Sequence, residues 1–338
     1  MTGTNTNITS IALDAMGGDH GPKVTIPAAL KAISNGEVAV SLVGDQAAIQ
    51  TELDKYPKPA EHLINIVPSE GIVQEDESPA LAYRTKPKAS VFVSAATVNM
   101  GKAEGFVSMG STGASIAAAT VVYGTLKGID RGALGGPVVG YAPNTVIIDL
   151  GTNVDTKAGL LVDFAALGNV MSKLIYQNDN PRIALLSVGS EKGKGNSLVK
   201  ETTELFNAVD LNFIGNIEPN DLPNGKAEVV ICDGFVGNVI LKLTEGLGSA
   251  IVDHIHKALG DTEASKKLSK EIFEKMNILE AFGGGPLLGV KGLAIVGHGS
   301  SGVDAVANAI GTAKYVIGTG LIEAQQSELD RIRIAINN

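Results

Sequence analysis

Cysteine is almost absent from this chain: Cys232 is the only one in 338 residues. That excludes a disulfide framework and a thiolate metal cluster. A nucleophilic thiol would need a paired histidine, and none lies nearby in sequence, so Cys232 reads as a small buried residue of its strand. Tryptophan is missing and aromatic residues make up 4% of the chain, too few for the stacking platforms that hold single-stranded nucleic acid. Positive charge is also short. The 27 Lys and Arg face 36 Asp and Glu, a formal net charge of −9, so the chain as a whole does not attract nucleic-acid phosphates. No continuous run of about 18 apolar residues occurs, so no membrane span is expected. The polar start MTGTNTNITS lacks the basic and apolar regions of a secretion signal. These absences leave a soluble cytoplasmic protein as the expectation.

What is present is core material. Hydrophobic residues make up 44% of the sequence, enough for a sizeable core and too much for disorder. Short apolar runs at 10–13, 38–43, 63–67, 105–108, 145–150, 182–188, 212–215, 229–232 and 293–296 read as strands. Several are apolar throughout, as strands buried on both faces are. Helical patterns lie between them at 24–34, 45–55, 78–85, 89–100, 112–123, 164–176, 197–207 and 303–318. This alternation predicts an α/β fold with a doubly wound, mostly parallel sheet. We read residues 1–338 as one domain, with one change of texture at about 236–279. There an apolar stripe (Val236, Ile240, Leu243, Leu247, Ile251, Ile255, Leu259) ends at Gly260–Asp261. A second helix carrying Lys266, Lys267, Lys270 and Lys275 follows, so a helical hairpin is inserted between two strands.

Ligands of a parallel sheet bind at the carboxyl ends of its strands, and six strand-ending loops here are rich in small and polar residues. The first, after Asp14, holds Gly17, Gly18 and Asp19, with Pro22 to open the next helix; it suits an anion at a helix start or a plain strand–helix turn capped by Asp19. The second holds Ser111, Thr112 and Gly113, which cradle an anion or cap a helix. The third holds Asp149, Asn153 and Asp155. Two carboxylates there suit a metal, but Asp149 accepting backbone N–H bonds as a turn anchor is the favoured reading. The fourth places Lys192, Lys194 and Asn196 in a glycine-rich turn. The fifth places Asp233 and Asn238 around an elbow. The sixth, Gly297–Gly302, matches GxGxxG and carries His298, Ser300 and Ser301. A dinucleotide site would need a further strand ending in Asp or Glu; only a helical stretch follows, so an anion site at the helix start is preferred. His254 and His256, two apart on a helix, face different ways and do not chelate together.

The six loops together resemble the bacterial phosphate acyltransferases. The resemblance rests on DAMGGDHGP at Asp14–Pro22, GSTGA at Gly110–Ala114, IDLGTNVDTK at Ile148–Lys157, KGNSL at Lys194–Leu198, CDGFVGNVILK at Cys232–Lys242 and GPLLGVKGLAIVGHGSS at Gly285–Ser301. It runs from about Ile11 to about Val316. The chain departs from the family pattern at Ser111, where Asn is more usual, at Gly132 and at Ser190. The resemblance implies a fold related to isopropylmalate-type dehydrogenases and phosphate acetyltransferases. It also implies a homodimer, an acyl donor borne on a small acidic acyl carrier protein, inorganic phosphate as acceptor, and a place at the start of phospholipid synthesis.

That reaction asks for little acid–base chemistry. Phosphate, with a second pKa of about 6, is substantially dianionic and nucleophilic near neutral pH, and a thiol of pKa about 8.5 leaves readily. Positioning and oxyanion stabilisation remain, and neither metal nor cofactor is required. On this reading His298, Lys192 and Asn238 are the catalytic candidates, His298 as oxyanion donor or proton donor to the thiolate. Substrate contacts fall to Asp14, Gly17, Gly18, Asp19, Ser111, Thr112, Gly113, Asn153, Lys194, Asn196, Asp233, Ser300 and Ser301. Lys266, Lys267 and Lys270 are candidates for docking the carrier or a membrane surface, the alternative being a solvated helix face neutralised by Glu271 and Glu274; a downstream membrane acyltransferase is a further candidate partner. Two competing readings are a β-decarboxylating NAD-dependent hydroxyacid dehydrogenase, which lacks a convincing nicotinamide site, and a non-catalytic lipid-binding scaffold, which the polar loops disfavour.

Overall fold

In the computed structural model, which describes residues 8–337, the short apolar segments become strands and the periodic ones become helices. Elements are numbered in chain order. Where the sequence reads as one domain, the chain divides into two compact units, residues 8–126 with Phe282–Gly320, and Lys127–Ala281 with residues 321–337. Local periodicity is blind to this division. Each unit is assembled from separated stretches, and no long polar linker marks a boundary.

The first unit contains β1 (Thr9–Asp14), α1 (Pro22–Ala32), β2 (Val38–Gly44), α2 (Gln46–Leu53), β3 (Ile64–Pro68), α3 (Pro79–Thr85), α4 (Ser90–Asn99), β4 (Gly105–Ser108) and α5 (Thr112–Ala118). The returning chain adds β10 (Gly285–Leu288), β11 (Leu293–Val296) and α11 (Val303–Gly318). Its strands are ordered β3-β2-β1-β4-β11-β10, parallel except for β10 against β11. Ala12, Phe106 and Ala294 align across neighbouring strands and join Phe92, Ala95, Ala118 and Tyr123 in one apolar cluster beneath α4 and α5. Helices α1, α2 and α11 pack together as a second group. Fully burying a side chain such as Phe92 or Phe106 contributes about 1.5–3 kcal/mol. The chain leaves β1 in one direction for β2 and later returns on its other side for β4. The carboxyl ends of β1 and β4 therefore flank the switch point where such sheets open a crevice.

The second unit contains β5 (Ala133–Pro137), β6 (Val146–Ile148), α6 (Ala158–Ile175), β7 (Ile183–Leu186), α7 (Ser197–Phe206), β8 (Phe213–Ile217), β9 (Val229–Ile231), α8 (Gly234–Leu259), α9 (Glu263–Met276), α10 (Ile278–Ala281) and α12 (Leu321–Asn337). Its order is β5-β6-β9-β7-β8, with only β5 antiparallel. Strands β5 and β10 escape the sequence reading because ALGGP and GPLL carry glycine and proline where strand patterns carry branched residues.

Helices α8 and α9 form the expected hairpin between β9 and β10. Leu243, Leu247, Ile251 and Leu259 of the anticipated stripe are exposed, joined by Phe235 and Val239, while Leu241 turns inward. The lysines of α9 are partly neutralised: Lys266 lies 3.3 Å from both Asp261 and Glu263, and Lys270 lies 3.8 Å from Glu274. One expectation needs correction. Among the described residues two helices, α6 and α8, are long and apolar enough by length and composition to cross a membrane; Gly, Ser, Thr and scattered charged residues interrupt both, so neither shows as a continuous apolar run. Most of α6 is buried within its unit, whereas α8 is mostly exposed.

Candidate active site

Three of the six loops meet in the first unit. Asp14 ends β1 and is only 2% exposed. One of its oxygens accepts the Ser108 hydroxyl at 2.8 Å and the other the Met16 N–H at 3.3 Å; the Ser90 side chain lies near enough to favour its ionised form. Burial pushes this carboxyl above its ordinary range and outweighs the hydrogen bonds that pull it down. The Gly110 N–H in turn donates to Ser108 Oγ at 3.1 Å. Gly17 is obligatory: a Cβ there would stand 2.8 Å from the Gly110 nitrogen and 2.9 Å from Asp14 Oδ2. The Asp19 N–H donates to the Gly299 carbonyl at 2.8 Å, tying the loop after β1 to the loop after β11.

Between these loops lies a cavity of about 240 Å³, lined by Asp14, Gly17, Gly18, Asp19, Ser111 and Gly299 among the anticipated residues. It is also lined by Gln74 and Glu75 from the segment after β3 and by Ser90 at the start of α4. Sequence reasoning missed Gln74, Glu75 and Ser90, and took Ser108 only as the start of the second loop. The 69–78 segment carries no motif, and Ser90 and Ser108 look like routine helix and strand ends. Asp14 followed by two glycines, a carboxylate where the backbone is drawn close, was the available signal that something must bond to it. Ser111 caps α5, its hydroxyl accepting from the Ala114 N–H at 3.4 Å. Thr112 and Gly113 open that helix. Gly113 faces Pro79, where a Cβ would come within 2.9 Å of its ring.

His298 is exposed and does not line the cavity. The Ser300 backbone N–H donates to its Nδ1 at 3.3 Å, and the Ser300 hydroxyl lies 2.9 Å from the same atom. A backbone N–H can only donate, so the neutral ring carries its proton on Nε2. Ser301 is buried, its hydroxyl has no partner among the described residues, and its N–H donates to the His298 carbonyl.

In the second unit Asp149 is fully buried at the end of β6. It accepts N–H bonds from Gly151, Thr152 and Asn153 at 3.1, 2.9 and 2.6 Å, and from Asn153 Nδ2 at 2.8 Å. It is the anchor the sequence favoured. The Asn153 amide nitrogen serves the same framework, Nδ2 also donating to the Gly132 carbonyl at 2.9 Å, while its Oδ1 has no partner among the described residues. Asp155 is exposed. Asp233 caps α8 by accepting from the Val236 N–H at 2.8 Å, and Asn238, one turn on, sits against Gly151. Asn196 caps α7 by accepting from the Val199 N–H at 3.0 Å, with Lys192 and Lys194 exposed in the turn before it. Burial raises the Cys232 thiol well above its ordinary range and keeps it protonated, with the nearby carboxylates of Asp233 and Asp149 adding to the effect.

A family model described as "Fatty acid synthesis protein" matches residues 9–324. Phosphate acyltransferase of Desulfitobacterium hafniense (strain Y51) is 40% identical over 333 residues, covering 96% of this chain and 98% of its own length. That of Picosynechococcus sp. is 38% identical over 328 residues, covering 94% and 89%. The chain belongs to the phosphate acyltransferase family. It is therefore an acyltransferase. Solved structures extend the likeness in fold alone. A phosphotransacetylase from Streptococcus pyogenes superposes with a TM-score of 0.57 at 18% identity, covering 94% of each chain. A 4-hydroxythreonine-4-phosphate dehydrogenase from Klebsiella pneumoniae gives 0.55 at 15%, covering 92% of this chain and all of the other. The fold kinship expected with phosphate acetyltransferases and dehydrogenases is thus present, and family membership decides between their chemistries.

Proposed function

We propose that the enzyme transfers a fatty acyl group from an acyl carrier-protein thioester to inorganic phosphate, reversibly, yielding an acyl phosphate for phospholipid synthesis. Family membership supplies acyl transfer and phosphate. The observation that carries the finer reading is the meeting of the loops after β1, β4 and β11 around one crevice, with His298 exposed on the last of these loops beside Gly299 of its lining. Phosphate attacks the thioester carbonyl directly. His298, as an Nε2–H donor, steadies the oxyanion, and the Ser301 hydroxyl, unpaired among the described residues, adds a donor at the start of α11. The turn before α7 offers the charge a dianion seeks: Lys192, Lys194 and two glycines, Gly193 and Gly195, at positive φ, leading into the start of α7. Asn238, at the start of α8, is the remaining candidate for orienting substrate.

The hairpin is proposed to pair with a second copy through Phe235, Val239, Leu243 and Leu247, a two-fold contact that hides an exposed apolar stripe. Lys266, Lys267 and Lys270 steer the acidic carrier. The enzyme acts in the cytoplasm, with its hairpin at the membrane surface where the product is used. The test is to incubate enzyme, acyl carrier-protein thioester and phosphate, and to follow freed carrier thiol alongside acyl phosphate by mass. Equal amounts, both dependent on phosphate, support the proposal; thiol release without acyl phosphate refutes it.

A further inference from the structure

The cavity between the loops after β1 and β4 is poorly suited to the ligand its glycines first suggest. Asp14, Asp19 and Glu75 line it, and among the described residues no Lys, Arg or His does. A phosphate dianion brought there would meet three carboxyl groups without a compensating cation. The remaining wall is apolar or neutral: Met16, Ile72, Val73, Val91 and Met109, with serine hydroxyls and glycine backbone. At about 240 Å³ it lies below the size of a whole drug-sized pocket, roughly 300–1,000 Å³. It suits the end of an extended chain: an uncharged arm with amide N–H donors and a sulfur.

The two buried strand-end aspartates differ in their partners. All the hydrogen bonds to Asp149 come from N–H groups, which cannot reverse, so a proton on that carboxyl would face donors. The polar side chains beside Asp14 are the hydroxyls of Ser108 and Ser90, and a hydroxyl turns from donor to acceptor by rotation. Asp14 can thus hold a proton without losing its framework, whereas the framework around Asp149 consists of N–H donors alone. The groups facing Asp14 act the same way. Asp19 and Glu75 share its cavity as like charges, Ser90 and Ser108 are neutral, and burial itself disfavours its ionised form.

Building on the acyl-transfer reading, we infer that this cavity seats the uncharged thiol-bearing arm of the acyl donor and that Asp14 is the acid that protonates the departing sulfur. As a phosphate oxygen bonds to the acyl carbon, the carbon–sulfur bond breaks, its electron pair goes to sulfur, and sulfur takes the Asp14 proton. The hydrogen phosphate gives up its own proton on becoming the acyl phosphate, and that proton restores the Asp14 carboxyl through water. His298 is left with the oxyanion.

The test compares two thioesters of one fatty acid, on an alkyl thiol of the pantetheine kind and on thiophenol, whose thiolate leaves without a proton. Asp14→Asn is expected to lower kcat/KM for the alkyl ester on the order of 10²-fold, the scale of a lost general acid, and for the aryl ester by less than about fivefold. Equal losses on both would make Asp14 a structural anchor and overturn the inference while acyl transfer stands. If the unaltered enzyme makes acyl phosphate from neither ester, both fall. Should the variant not fold, a series of thioesters on the unaltered enzyme decides. Rates that barely respond to thiol acidity support protonation of the leaving group; rates that climb steeply as the thiol becomes more acidic overturn it.

Discussion

Replacing Asp149 by Asn should cost far more stability than the same change at Asp14, although both are buried strand-end carboxylates. At Asp149 one oxygen serves Gly151 and Thr152 and the other serves the backbone and side-chain nitrogens of Asn153. An asparagine keeps one acceptor. Whichever way its amide is turned, an NH₂ group faces two N–H donors that had bonded to a charge. Each such bond is worth about 1.5–3 kcal/mol, so the loss is roughly 3–6 kcal/mol before relaxation. At Asp14 the neighbouring hydroxyls rotate to accept from the new NH₂, and the buried charge is gone, so the cost at pH 8 is below about 1 kcal/mol. The assay is urea unfolding followed by far-ultraviolet circular dichroism, since the chain has no tryptophan to report by fluorescence. Equal losses at the two positions, or a loss under about 1 kcal/mol at Asp149, would refute the distinction between a framework of fixed N–H donors and one of rotatable hydroxyls.

The same carboxyl sets a pH trend. The Asp14 pKa is raised in the folded state, so below the unfolded value near 3.9 both states hold the proton and nothing is lost. As pH rises toward the folded value the unfolded chain ionises first, and stability falls relative to Asp14→Asn; a wild-type advantage that grows between pH 4 and pH 8 would contradict this. Gly237→Ala should unfold the second unit, because a Cβ there collides with the Asp149 carbonyl oxygen; an unfolding midpoint close to wild type would show that the start of α8 can move aside. His298→Ala should reduce kcat on the order of 10²–10³-fold with an unchanged unfolding midpoint, since the side chain is exposed; near-normal turnover removes it from the chemistry. Reversing Lys266, Lys267 and Lys270 to Glu should raise the KM for acyl carrier protein at low salt and have little effect at high salt. An unchanged KM at low salt would leave these lysines as surface already balanced by Asp261, Glu263 and Glu274.

Much of this molecule is legible in its sequence because its strands are buried on both faces. Runs such as IALD and GFVS have no polar alternation to confuse them, and each is followed by the loop that builds the crevice. The strands that escaped, β5 and β10, are the antiparallel ones. Their glycines are dictated by neighbours: a Cβ on Gly136 would strike Leu279. The loops after β1, β4 and β11 were recognised, but the acidic lining that Glu75 completes was not legible in them. Glycines that draw backbone close look the same whether the ligand is an anion or a neutral chain. The deciding residues, Glu75 and Ser90, come from a segment and a helix start that carry no motif. Several residues chosen as ligand contacts, Ser111, Asn196 and Asp233, are helix caps in the structure, the alternative that hydroxyl, amide and carboxylate residues before helices always present.

The central claim is that phosphate itself attacks the acyl thioester. The most direct measurement is a single turnover with phosphate bearing heavy oxygen at every position, with the product read by mass. Direct attack requires an acyl phosphate carrying all of the label, together with no exchange of acyl groups between the thioester and labelled free carrier thiol when phosphate is omitted. Acyl exchange without phosphate would reveal a covalent acyl-enzyme and contradict the claim.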